Sequence, residues 1–101
     1  MQLHESVAAL LDECIRTRRA LHRIPEIGFA EHKTQAFIEA ALQECAPDRI
    51  ERIAGTGVKA VYYAKEPRAT IAFRADMDAL NVAEQKRSAY RSTHEGKMHA
   101  C

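Results

Sequence analysis

Val58-Lys59-Ala60-Val61-Tyr62-Tyr63-Ala64 is rich in β-forming residues, and it marks the point where the helical periodicity of the preceding chain has given way to strands. A second such run, Thr70-Ile71-Ala72-Phe73-Arg74-Ala75, follows. Lys65-Glu66-Pro67-Arg68 between them places Pro where a turn wants it, so the two runs are expected to pair as an antiparallel hairpin. Before Val58, Gly55-Thr56-Gly57 reads as a turn and Ile50–Ile53 as a short strand. Upstream the period is helical. Residues 3–23 carry Leu3, Val7, Leu10, Leu11, Ile15 and Leu21 near helical spacing, with charges on the other faces. Pro25 disfavours the helical region at Ile24 and should end that helix. A second helix is expected over 31–45, with Phe37, Ile38, Ala41, Leu42 and Cys45 on one side and Ala46-Pro47-Asp48 closing it. Helix, helix, strand, strand is an α/β order: two helices followed by a β-hairpin of a mixed sheet, with the helices packed on it.

Composition removes several function classes. The 101 residues suffice for one domain with a modest core, and nearly half are apolar, which argues against disorder. The net charge of +1, with acids and bases interspersed, gives no footprint for nucleic acid or an anionic membrane. The basic cluster Arg16–Arg19 with Arg23 sits late in the first helix, where it complements the helix dipole. No apolar run is long enough to span a bilayer or to serve as a signal peptide. Cys14, Cys45 and Cys101 are an odd number at wide spacing, a poor disulfide framework that fits a reducing, cytoplasmic setting. Cys14 and Cys45 fall on apolar helix faces and are expected to be small buried hydrophobes.

Three segments can carry chemistry. Phe73-Arg74-Ala75-Asp76-Met77-Asp78 puts two acids directly after an apolar strand, where sites collect in open α/β sheets. Two carboxylates at this spacing can bind a hard cation, or one can orient a metal ligand. The plain alternative is strand-end acids in a solvated loop. Asp-x-Asp after a strand also opens a phosphatase pattern, but Ala79-Leu80 follows where a Gly-Thr-like pair is usual. Met98-His99-Ala100-Cys101 holds an imidazole and a thiol two residues apart, both able to ligate zinc or a similar ion. No Cys-x-x-Cys supplies partners, and His94 is the other nearby candidate. Leu21-His22-Arg23-Ile24-Pro25-Glu26 lies at a helix end, where His22 and Glu26 are expected to make local hydrogen bonds. Residues 81–98 are mostly polar without a sustained period, either a disordered tail or an active-site loop.

Taken in order, these segments resemble the metal-dependent amidohydrolase family of aminoacylases and carboxypeptidases, particularly the branch with hippurate hydrolase and the indole-acetyl-amino-acid hydrolases. The resemblance runs through Arg19-Ala20-Leu21-His22-Arg23-Ile24-Pro25-Glu26-Ile27-Gly28-Phe29, Glu31 and Thr34, then Gly55-Thr56-Gly57-Val58. It continues in Phe73–Leu80 with Glu84, and in Tyr90, Ser92, Gly96 and Met98–Cys101. It covers most of residues 15–101. The family pattern continues after the cysteine with Gly-His-Asp, and further His and Glu residues complete a two-metal site.

The resemblance implies that residues 1–101 are the N-terminal portion of a zinc-peptidase-like catalytic domain. The rest of that domain and a dimerisation domain would lie outside them. It implies that Cys101 is a metal ligand and that the catalytic candidate Asp78 lies beside the site, with Asp76 a weaker candidate. In related branches a His at the position of Asp76 binds metal; here Cys101 would supply the ligand instead. Asn81 departs from the Pro usual in the family, which would loosen the loop. The implied cofactors are two divalent metal ions (Zn, Mn, Co or Ni), and the implied substrate is a small N-acyl amino acid or peptide. The implied chemistry is metal-assisted amide hydrolysis by a parent enzyme that is a candidate homodimer, the present residues alone being inactive. The competing reading is a small non-catalytic domain that binds a metal or partner through Asp76, Asp78 and Cys101.

Overall fold

The N-terminal amphipathic stretch folds as two consecutive helices rather than one. The computed structural model describes residues 4–101, so Leu3 of the expected helix lies outside the described residues. Helix α1 covers Glu5–Ala8 and α2 covers Leu11–His22. His4 starts α1 by accepting the Ser6 N–H on its ring. The ladder then tightens, the Leu10 N–H bonding to the Val7 carbonyl at 3.1 Å, before resuming from Cys14 to Leu10 at 2.9 Å. Helix α2 stops where Pro25 requires. Arg23 and Ile24 fold their N–H groups back to the carbonyls of Ala20 and Leu21, and Arg19 and His22 occupy the last turn.

Helix α3 covers His32–Glu44. Its N-cap residue, Glu31, makes no capping bond from its side chain; Glu26 does the work from eight residues upstream of Thr34. The Glu26 carboxylate accepts the Thr34 N–H at 2.7 Å, the Thr34 hydroxyl at 2.8 Å and the Lys33 N–H at 3.2 Å. A carboxylate there satisfies orphan donors and meets the positive end of the helix dipole. Partial burial pushes this carboxyl up, but the bonds from Thr34 and Lys33 outweigh it and hold it below the ordinary glutamate range. At the other end Ala46 takes a left-handed φ of 49°, and Pro47 prevents continuation.

Strands β1 (Arg49–Ile53) and β2 (Gly57–Val61) form an antiparallel hairpin, in register from Arg49↔Val61 to Ile53↔Gly57. Ala54 and Gly55 turn the chain with φ of 49° and 80°. Gly57 is needed for a different reason: a Cβ there would sit 2.9 Å from the Ile53 carbonyl oxygen. Helix α3 clamps this turn. The Gln35 amide donates to the carbonyls of Gly55 and Gly57, each at 3.1 Å, and the Thr56 hydroxyl donates to Glu31 at 2.7 Å. Glu31, Gln35 and Thr56 are all buried.

The hairpin is therefore not the one expected. Val58–Val61 pairs backwards with Arg49–Ile53, and Thr70–Ala75 forms no strand among the described residues. Strand propensity favours extended backbone without naming a partner. The nearer partner wins here because a three-residue connection closes it and α3 holds the turn. Residues 62–78 run without regular structure, leaving Ile71 and Phe73 79% and 97% exposed. Two isolated bridges complete the pairing: Ile27↔Ala79, parallel, and Leu80↔Met98, antiparallel.

The described residues hold little core. Ala79 and Pro25 are the buried apolar residues among those described. Cys14 and Cys45 are exposed, against expectation, because no element among the described residues covers the helix faces they occupy. The Cα radius of gyration is 15.7 Å, against about 13 Å for a compact chain of this length. No helix among the described residues is long and apolar enough to cross a membrane.

Candidate metal centre

Ala79 anchors the site. Its N–H donates to the Glu26 carbonyl at 2.8 Å, which fixes the end of the Asp76-Met77-Asp78 segment against the α2–α3 connection. Leu80 and Met98 then exchange N–H···O bonds of 3.0 and 3.1 Å. Continuing that antiparallel register lays His99-Ala100-Cys101 back along Ala79-Asp78-Met77. The two segments singled out in the sequence thus meet, although more than twenty residues separate them. They border a cleft of about 260 Å³ lined by Asp76, Met77, His99 and Cys101, with Leu21 and His22 from α2 and Thr34 and Ile38 from α3.

Cys101 is exposed at this cleft. Asp76 borders it too, its carboxylate paired to the Arg74 guanidinium at 2.6 Å on an exposed surface. Asp78 is exposed, and its carboxylate is not part of the lining; its charge is near enough to act on the His99 ring. His99 had drawn notice only as a companion of Cys101. It is half-buried, and its Nε2 is out of solvent with no hydrogen-bond partner. Burial pushes this imidazole below the ordinary histidine range, more than the Asp78 carbonyl and charge push it up, and the His22 ring adds to the lowering.

The loop over residues 81–98 is not a free tail. Glu84, 4% exposed in its side chain, accepts from the Ser92 N–H at 2.5 Å and lies 3.1 Å from His22 Nε2. The Ser92 bond first, then His22, hold the Glu84 carboxyl below the ordinary range against the effect of burial. Thr93 donates its N–H and hydroxyl to the Arg23 carbonyl, the Arg23 guanidinium donates to the Ala89 carbonyl, and His94 Nδ1 bonds the Pro25 carbonyl at 2.7 Å. The Arg19 guanidinium lies over the Tyr90 ring at 4.8 Å. His22 therefore bonds across the molecule rather than locally.

Among the described residues no group of three or more His, Cys, Asp or Glu side chains is placed to hold a metal ion. A thiol and an imidazole with an orphaned Nε2, side by side on one cleft, are suitable donors for a borderline or soft divalent metal. They fit part of a coordination shell and do not close one.

The chain is 46% identical over 85 residues to the N-acetyldiaminopimelate deacetylase of Oceanobacillus iheyensis, a match covering 83% of this chain and 23% of that enzyme. It is 44% identical over 88 residues to the enzyme of the same name from Anoxybacillus flavithermus, covering 86% and 23%. Among solved structures, the Bacillus subtilis YXEP protein, a dinuclear metal binding peptidase of the M20 family, superposes with a TM-score of 0.85 at 38% identity, covering 93% of this chain and 27% of that one. These residues are similar to part of the enzymes of the metal-dependent amidohydrolase family. The fold matches as well as the sequence: that superposition takes in 93% of the chain, its helices and antiparallel hairpin included. No protein-family profile matches the chain. The chain spans about a quarter of the length of the curated relatives it matches.

Proposed function

We propose that these residues form the N-terminal part of the catalytic domain of an amidohydrolase that cleaves the amide bond of a small N-acyl amino acid or peptide, using divalent metal ions. The observation that carries this is the Leu80–Met98 bridge, which brings Cys101 and the Asp76–Asp78 segment to one cleft. The names of the relatives support the reaction class and make an N-acetylated diamino acid a candidate substrate. Two metal ions per site is the reading, drawn from Zn, Mn, Co or Ni. A cytoplasmic setting and a homodimeric parent complete it.

In this reading Cys101 would hold a metal ion through its sulfur as a thiolate. When bound, the metal ions supply Lewis acidity and an activated water. The chain's own residues supply placement. Asp78 adds negative charge beside the His99 ring. Thr34, Ile38 and Leu21 wall the cleft. The exposed apolar residues at 71 and 73 and the small core support a role for these residues within a larger domain.

The test is Cys101→Ala in the full-length protein. Bound metal, read by elemental analysis, and hydrolysis of an N-acetyl amino acid should fall together, metal affinity by at least about tenfold. Unchanged metal content would refute the assignment of Cys101.

A further inference from the structure

We propose that His22 is a positioning residue, which through its bond to Glu84 sets the segment carrying Asp78 and Cys101. This rests on the reading of Cys101 as a metal ligand. Residues 81–97 have neither helix nor strand, so side-chain bonds must fix their path. Four of those bonds are exposed at the surface. The His22–Glu84 pair is not: the two side chains are 13% and 4% exposed. Its geometry is also central. One Glu84 oxygen faces His22 Nε2 and the other takes the Ser92 N–H, so a single carboxylate ties both arms of the loop to the end of α2.

The His22 ring does more than hold Glu84. It meets the edge of Tyr90 at 5.8 Å between centroids and lies 6.5 Å from the ring of His99. One imidazole thus touches the loop near its start, at its middle and two residues before Cys101. It also lines the same cleft as Cys101. If the loop shifts, the Leu80–Met98 bridge at its base is the first pairing to feel it, and that bridge sets where Cys101 lies.

The experiment uses the full-length protein and two readouts. Amide exchange at Leu80 and Met98 reports position without any metal, with the last turns of α3 as internal reference. Zinc affinity, by chelator competition, reports the consequence. His22→Ala should speed exchange at both amides and weaken zinc binding, each by about tenfold. His22→Gln keeps an N–H donor of similar reach and should restore both to within about threefold of wild type, which a general loss of stability would not do. Glu84→Gln, which has one oxygen for two donors, should move both readouts in the same direction and serves if His22→Ala does not fold. Wild-type exchange at Leu80 and Met98 in the His22 and Glu84 variants would overturn the proposal, as would faster exchange with unaltered zinc affinity. Failure of the ligand reading itself shows separately, as unchanged metal in Cys101→Ala.

Discussion

Replacing Glu26 tests whether the family-like charge at this position works on structure or on chemistry. Its carboxylate accepts three donors at the start of α3, two of them from Thr34, which is 1% exposed. With the carboxylate in place Thr34 is out of reach of water. Glu26→Ala therefore orphans a buried N–H and a buried hydroxyl, each costing about 1–3 kcal/mol before relaxation. A shared, partly relaxing site brings the total to about 2 kcal/mol, or about thirtyfold in local opening. Glu26→Gln keeps an acceptor and loses the charge beside the helix N-terminus, which sets its cost lower, at about 0.5–1 kcal/mol. The pH dependence has a definite sign. The folded carboxyl is held below its ordinary value, so its contribution is complete above that value and is lost as pH falls through the lower, folded one. The gap between wild type and Glu26→Gln should accordingly close in acid. Native-state hydrogen exchange at the Lys33, Thr34 and Gln35 amides reads all of this. Unchanged protection at Thr34 in Glu26→Ala, or a gap from Glu26→Gln that persists undiminished in strong acid, would refute the capping role.

Gly57→Ala should open the hairpin, because its Cβ would meet the Ile53 carbonyl oxygen at 2.9 Å; a loss of about 1–3 kcal/mol is expected, visible as faster exchange across β1 and β2. Glu31→Ala removes the acceptor of the buried Thr56 hydroxyl, costing about 1–3 kcal/mol in thermal or urea unfolding; pairing it with Thr56→Val should recover much of that, since both polar partners are then gone.

The helices were legible and the strand pairing was not. Pro25 and Pro47 bound α2 and α3 within a residue or two, because proline acts locally. Thr70–Ala75 misled because its residues favour extended backbone wherever they are, while pairing depends on distant geometry. The correct partner, Ile50–Ile53, was visible as a strand beside a Gly55-Thr56-Gly57 turn; what the sequence could not display was Gln35 and Glu31 reaching over from α3 to hold that turn. Of the site, the resemblance implied Cys101 with Asp78 beside it and Asp76 as the weaker candidate, whereas the cleft is lined by Asp76 and Cys101 and not by Asp78. His99 and His22 were harder. Each was visible as a histidine near a motif, but the bond of His22 to Glu84 and the burial of His99 exist only after folding.

The charged residues of this region divide by what surrounds them. Glu26, Glu31 and Glu84 each sit where backbone has no regular partner: the start of α3, the hairpin turn, and the loop over 81–97. Glu26 and Glu84 accept from backbone N–H groups that a helix or strand would otherwise satisfy, and Glu31 accepts the Thr56 hydroxyl of the turn. An irregular segment can be held in one path only if its N–H groups find acceptors, and a buried carboxylate offers two oxygens where a carbonyl offers one. Asp76 and Cys101, by contrast, face an open cleft, and the bond Asp76 makes is a surface ion pair with Arg74. These three acids therefore build the loops, and the exposed thiol and aspartate are left for a ligand. That division is why removing Glu26 or Glu31 should cost stability, while removing Cys101 should cost metal.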